Sequence, residues 1–232
     1  MGTNIQRGKL SAVPGVEVAR SSISFSDSLT CLGFAIDSNL SLDSHVTSIV
    51  KSCNYHIRAL RHIRPVLSRE LAETVARSIT MSRLDYCNSI LAGSSNKSID
   101  RLQKVQNSLA RVVTGAKWGD HITPVLRELH WLPVARRIDY KLATLTYNVR
   151  LSHTPPYLSQ LLVEHVPVRN LRSNCAPKLV TKRVNSVLAS RAFCVTAPIL
   201  WNSLPDVVRS AKSLSIFKGL LKTFLFNVAH KT

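Results

Sequence analysis

Acidic residues are scarce in this chain. Thirteen Asp and Glu stand against 31 Lys and Arg in 232 residues, giving a formal charge of +18. The acids are spread singly, and the nearest pairs, Asp37 with Asp43 and Glu70 with Glu73, suit helix caps and first-turn charges. Two-metal polymerases and nucleases need clustered carboxylates to hold ions about 3.5–4 Å apart, and no such cluster is written here. Cysteine is equally uninformative: Cys31, Cys53, Cys87, Cys175 and Cys194 are scattered, odd in number and without a CxxC pair. That excludes a disulfide framework and a zinc ribbon. Cys53-Asn54-Tyr55-His56 has metal-like spacing but no second half, so a buried thiol and a surface histidine explain it.

Other absences narrow the function further. No run approaches eighteen apolar residues, so no transmembrane helix is expected and a membrane is not among the expected partners. Met1–Arg7 is too polar for a secretory signal and Gln6 spoils a myristoylation site, which makes the expected location intracellular, nuclear or cytoplasmic. There is no glycine-rich phosphate loop, no GxSxG elbow and no HExxH, and the eight histidines follow no common spacing. Neither a self-contained active site nor a cofactor or metal is expected. What the chain does have is an ordinary apolar content of 45%, which argues against wholesale disorder. Its length suits one large domain or two small ones.

The apolar spacing predicts a mainly α fold: a short N-terminal β-hairpin, a helical bundle and a smaller α+β C-terminal region. Residues 1–30 are polar and broken by Pro14 and Gly15. Strands are predicted at Ser22–Phe25 and Cys31–Ile36. A first helix carries Val46, Ile49, Val50, Cys53, Ile57 and Leu60, with Asp43 or Ser44 to cap it and Pro65 to close it. Ser68 opens a second with the stripe Leu71, Val75 and Ile79. The third places Ile99, Leu102, Val105, Leu109, Val112 and Val113 on one face, and Gly115 stands at a left-handed C-cap position. Thr123-Pro124 opens a fourth. Pro133 opens a fifth with Val134, Ile138, Leu142, Leu145 and Val149, ending at Thr154-Pro155-Pro156. Between Glu164 and Asp206 lie no acids but six bases, Arg169, Arg172, Lys178, Lys182, Arg183 and Arg191, in an irregular segment with one strand expected around Phe193–Thr196. A last helix, capped by Ser213, carries Ile216, Phe217, Leu220, Leu221, Phe224 and Leu225. The expected divisions are 1–42, 43–152 and 153–232.

The charge excess points to a polyanion. Arg101, Lys104, Ser108 and Arg111 recur at helical spacing on the third helix, and Lys51, Arg58 and Arg61, followed by His62 and Arg64, do the same on the first. Any one such face is what a solvated helix presents. Together, with few acids to compensate, they favour phosphate contact. Trp118, Trp131 and Trp201 are expected in the core rather than stacked on bases.

Several segments together carry a family resemblance. Cys31-Leu32-Gly33-Phe34-Ala35-Ile36-Asp37 with Leu42-Asp43-Ser44-His45-Val46 resembles a signature of non-LTR (LINE-type, jockey-like) retrotransposon reverse transcriptases. The likeness continues through Ser82–Ser89, Leu102–Asn107, Ala110–Gly115 and Leu129–Val134, then Arg191–Phe193, Ala197-Pro198, Trp201–Pro205 and Phe217–Lys222. It implies the C-terminal part of such an enzyme: a palm remnant with a primer-grip hairpin over 1–42, a thumb over 43–152 and a basic C-terminal extension over 153–232. By that resemblance Leu32, Gly33 and Phe34 sit at the primer terminus, while Lys51, Arg58, Arg61, Arg101, Lys104 and Arg111 line a template–primer duplex. The partner is then an RNA–DNA hybrid or a DNA duplex. The family's metal-binding aspartates lie N-terminal to the segments matched, so the resemblance implies a chain that is noncatalytic alone. Two other readings stand beside it: a fragment that docks on or inhibits a reverse transcriptase core, and an element-derived reading frame without selected function.

Overall fold

The computed structural model describes residues 15–19, 21–24, 26–166 and 177–230. Expectations resting on Met1–Arg7, Pro14, Phe25, Pro167, Arg169, Arg172, Cys175 and Ala176 lie outside the described residues. The chain separates into two compact units, Met1–His45 and Val46–Thr232.

The first unit holds two antiparallel hairpins where one was expected. β1 (Gly15–Val18) pairs with β2 (Ser21–Ser24), and β3 (Ser28–Cys31) pairs with β4 (Phe34–Asp37). Cys31–Ile36, expected as a single strand, is instead the tip of the second hairpin. Leu32 and Gly33 both take positive φ, 49° and 76°, between the paired Cys31 and Phe34. Positive φ at both central positions is the pattern of a type I′ turn, whose twist matches that of the flanking strands. Beyond β4 the Asp37 carboxylate accepts the N–H groups of Asn39, Ser41 and Leu42 at 2.8–3.0 Å. Partial burial opposes its ionisation, but these donors outweigh it and hold the carboxyl below its ordinary range. The Ala35 N–H donates to His45 Nδ1 at 3.4 Å, and the Phe34 and His45 rings lie 4.0 Å apart. Burial also pushes the His45 pKa down.

In the second unit the predicted helices form, and the mainly α fold is what the structure has. α1 (Asp43–Ile63) buries Val46, Ile49, Cys53, Ile57 and Leu60. Ser68 caps α2 (Arg69–Val75), its hydroxyl accepting from the Leu71 N–H at 3.2 Å. α2 runs through a π-helical stretch, Ala76–Met81, into α3 (Ser82–Asp85). Its buried face is not the predicted one. Leu71 and Ile79 are exposed, while Ala72, Ala76, Thr80, Met81 and Leu84 are buried. Small side chains let this helix approach its neighbours, an outcome that a count of bulky residues misses. α4 (Asn96–Thr114) buries Leu102, Val105, Leu109, Val112 and Val113 and stops at Gly115, whose φ of 76° and N–H bond to the Arg111 carbonyl at 2.8 Å make the predicted left-handed cap.

After α5 (Ile122–Glu128) comes α6 (Val134–Ser152). The C-terminal helices are α7 (Pro156–Ser159), α8 (Val187–Ser190), α9 (Phe193–Ser203), α10 (Asp206–Arg209) and α11 (Leu214–His230). α6 packs against α7, α9 and α11, while α8 packs on α9 and α10 on α11. The strand expected at Phe193–Thr196 is the first turn of α9, because its apolar residues pack as a helix face around Val195, Ala197 and Trp201. One core runs across residue 152: Tyr147 of α6 stacks on Phe217 of α11 at 4.3 Å, with Trp201 of α9 beside them.

Candidate nucleic-acid interface

Two contacts fix how α1 and α4 lie. Near their starts, the Arg101 guanidinium donates to Thr47 Oγ1 at 2.8 Å. Just past the end of α1, Arg64 Nε donates to the carbonyls of Val112 and Val113 at 3.1 Å each. The helices therefore run side by side in the same direction. Their apolar stripes turn inward, so Lys51, Arg58, Arg61 and Lys104 come to lie exposed on the outside. Asp43 and Asp100 are the only acids the two helices carry. Such a surface is electropositive along its length.

The nine residues singled out from the sequence differ in what they are free to do. Arg101 is half-buried and tied to Thr47. Arg111 is occupied within the fold: its guanidinium donates to the carbonyls of Lys117 and Asp120 at 3.3 and 3.2 Å and lies 5.3 Å from the Trp118 ring centre. Arg64, noted with the α1 bases, caps the last carbonyls of α4. Leu32 and Gly33 form the tip of the second hairpin, Leu32 at 86% exposure, whereas Phe34 is buried against His45.

The tryptophans divide. Trp131 and Trp201 are buried as expected, but Trp118 is 82% exposed, contrary to the core position expected for it. It sits in the loop after α4, with the Arg111 guanidinium 5.3 Å from its ring centre. An exposed aromatic beside an arginine can stack on a base.

Sequence reasoning missed a set of buried and partly buried polar contacts, each with at least one partner in the segments that carry the family resemblance. Gln106 is fully buried and donates to the Leu132 carbonyl at 2.8 Å. Gln103 accepts the Val134 N–H at 2.8 Å and donates to Gln106 and Asn107. Together the two glutamines fix the loop entering α6. Asp85 receives Arg137 through both Nε, at 2.8 Å, and a terminal nitrogen, and also accepts from Asn88. Asn202 pairs with both backbone groups of Leu179, and the Trp201 N–H donates to the Pro177 carbonyl at 2.9 Å. Spacing alone could not pair residues tens of positions apart. The one signal available was polar residues within otherwise apolar stripes, as at Gln106.

Burial raises the Cys53 thiol to about 11, against a smaller opposing effect of Arg83, so it is not poised as a nucleophile or metal ligand. Among the described residues no three His, Cys, Asp or Glu side chains come together to hold a metal, and no helix is long and apolar enough to cross a membrane.

Compared with known proteins, the chain is 26% identical over 156 residues to the probable RNA-directed DNA polymerase from transposon X-element of Drosophila melanogaster. The match covers 65% of this chain but only 17% of that protein. No family model matches, and no solved structure does. The chain is thus similar to a limited stretch of a probable transposon RNA-directed DNA polymerase.

Proposed function

We propose that this chain is a nucleic-acid-binding part of a non-LTR (LINE-type, jockey-like) retrotransposon reverse transcriptase, noncatalytic by itself. In this reading residues 43–152 act as the thumb, 153–232 as the C-terminal extension and 1–42 as a palm remnant with the primer-grip hairpin. The observation that carries it is the outward row of Lys51, Arg58, Arg61 and Lys104 on two parallel helices that hold only two acids. Long cationic side chains spaced along such a surface track a phosphate backbone without reading bases. The ligand is a duplex, an RNA–DNA hybrid or DNA. Fluorescence anisotropy with labelled duplexes of unrelated sequence tests this: they should bind alike, and the purified chain should add no deoxynucleotide to a template–primer with Mg²⁺ or Mn²⁺. Failure to bind either duplex at low salt would overturn the reading.

A second reading has its own support. Val16, Val18, Ile23, Leu29 and Leu32 are all exposed on the two N-terminal hairpins. Exposed apolar strands invite pairing with another protein, which suits docking on a reverse transcriptase core. Co-purification with such a core, lost on Leu29→Ser with Leu32→Ser, is the expected result.

A further inference from the structure

Trp118 is the one large apolar side chain between Thr114 and His121, and it is 82% exposed. The loop that carries it is closed on itself. Residues Lys117–Asp120 form a hydrogen-bonded turn: the Asp120 N–H donates to the Lys117 carbonyl at 3.2 Å, and the Asp120 carboxylate accepts the Lys117 N–H at 2.7 Å. Trp118 and Gly119 fill its two central positions. From α4 the Arg111 guanidinium reaches the carbonyls of Lys117 and Asp120, so both ends of the turn are tied to the helix. An aromatic ring held at the tip of a fixed turn gives up little conformational freedom on binding. The space beside it is open, since a side-chain carbon placed at Gly115 or Gly119 would meet nothing beyond its chain neighbours within 4 Å.

The surrounding charges select nucleic acid as the ligand. Lys117 and His121, on either side of Trp118 in the sequence, are exposed, and the Arg111 guanidinium lies 5.3 Å from the ring centre. Asp120 is the one acid from Arg111 to His121, and its carboxylate is bonded to the Lys117 N–H. An aromatic anchor of a protein interface stands among well-packed contacts that exclude water, whereas this ring stands in a polar, basic turn. Its place relative to the helices is also defined. Arg64 donates to the Val112 and Val113 carbonyls, which sets the end of α1 beside the end of α4. Trp118 follows just beyond, at the end towards which the exposed Arg58 and Arg61 of α1 run.

We propose that Trp118 is a stacking platform for an unpaired base, taking the single strand that continues from a duplex lying along α1 and α4. Every base has a π face, so stacking of this kind is tolerant of sequence. The adjacent cations meet the phosphates that flank the stacked base. The placement of the duplex rests on the function proposed above; the stacking of a single strand does not, and is tested without it.

Trp131 and Trp201 are buried, so quenching of tryptophan fluorescence by a bound strand reads Trp118. Oligo(dT) should quench the full chain saturably at low salt. An abasic strand of the same length and charge should bind about tenfold more weakly and leave the emission unchanged. Anisotropy then compares a labelled duplex carrying a short dT overhang with the same duplex carrying an abasic one. The parent should prefer the dT overhang by about tenfold. Trp118→Phe should keep most of that preference, and Trp118→Leu, apolar but not aromatic, should lose it. Blunt-duplex affinity and the thermal melt should be the same in all three proteins. A blunt duplex that fails to bind, with oligo(dT) still quenching and the abasic strand not, would overturn the duplex reading and leave the stacking standing. Equal affinity for dT and abasic strands in the parent, or a preference retained in Trp118→Leu, overturns the stacking. So does an absence of quenching by oligo(dT), the result expected of a ring reserved for a protein partner.

Discussion

Gln106→Leu replaces a fully buried amide with an apolar side chain of similar size, so the change is polar rather than steric. In the parent, Gln106 Nε2 donates to the Leu132 carbonyl at 2.8 Å and its Oε1 accepts from Gln103 at 3.0 Å. The variant leaves the Leu132 carbonyl without that donor. Gln103 keeps Asn107 as a partner at 2.8 Å, so its loss is partial. An unmet buried carbonyl costs about 1–3 kcal/mol, and about 2 kcal/mol is the central expectation. For a unit of this size, that lowers the melting temperature by about 4–8 °C. Gln103→Ala removes the acceptor for the Val134 N–H and should cost a comparable amount. Because the two amides bond to each other, the double variant should lose less than the sum. Thermal unfolding followed by circular dichroism at 222 nm reads all three. A Gln106→Leu melt within about 1 °C of the parent, against the shift expected from size, would refute the idea that these glutamines fix the loop entering α6.

The remaining predictions address the core and the thiols. Leu109 is fully buried on α4, so Leu109→Asp places an unpaired charge in the interior, and loss of cooperative melting is expected; a parent-like melt would show the helix face to be wrong. Cys53 is buried while Cys31 is exposed, so a thiol reagent should label Cys31 quickly and Cys53 only on unfolding. The Cys53 thiol is raised from 9.0 to about 11, so between those values the unfolded chain has lost the proton and the folded one keeps it. Stability contributed by this site is therefore present below pH 9 and falls as pH rises towards 11, by up to about 2–3 kcal/mol, and a Cys53→Ala comparison should show a shallower fall.

The helices of the second unit were legible because their apolar residues recur at three and four positions and their ends carry Ser68, Gly115 and Ser213 at capping positions. The errors have physical causes. The α2 face was misassigned because burial there falls on Ala72 and Ala76, whose value lies in close approach rather than bulk. α9 was mistaken for a strand because Phe193–Thr196 is short and apolar, a run that periodicity cannot decide. The tip at Leu32-Gly33 hid inside an apolar run, since leucine at positive φ gives no warning in sequence. The outward charge of α1 and α4 was legible, but not the diversion of Arg64 and Arg111 into carbonyl contacts, which depends on a neighbouring helix end and a loop.

The salt dependence of duplex binding tests the central claim most directly. Log Kd for an RNA–DNA hybrid, measured by anisotropy across a series of salt concentrations, should vary linearly with log salt. Four exposed bases, Lys51, Arg58, Arg61 and Lys104, correspond to a slope of magnitude about 3–4 at 0.7–0.9 per phosphate contact. The variant Arg58→Gln, Arg61→Gln, Lys104→Gln should bind more weakly and lower that magnitude by about 2–3, with an unchanged melt. An affinity and slope equal to the parent's, with both proteins folded, would contradict the assignment of this face to nucleic acid.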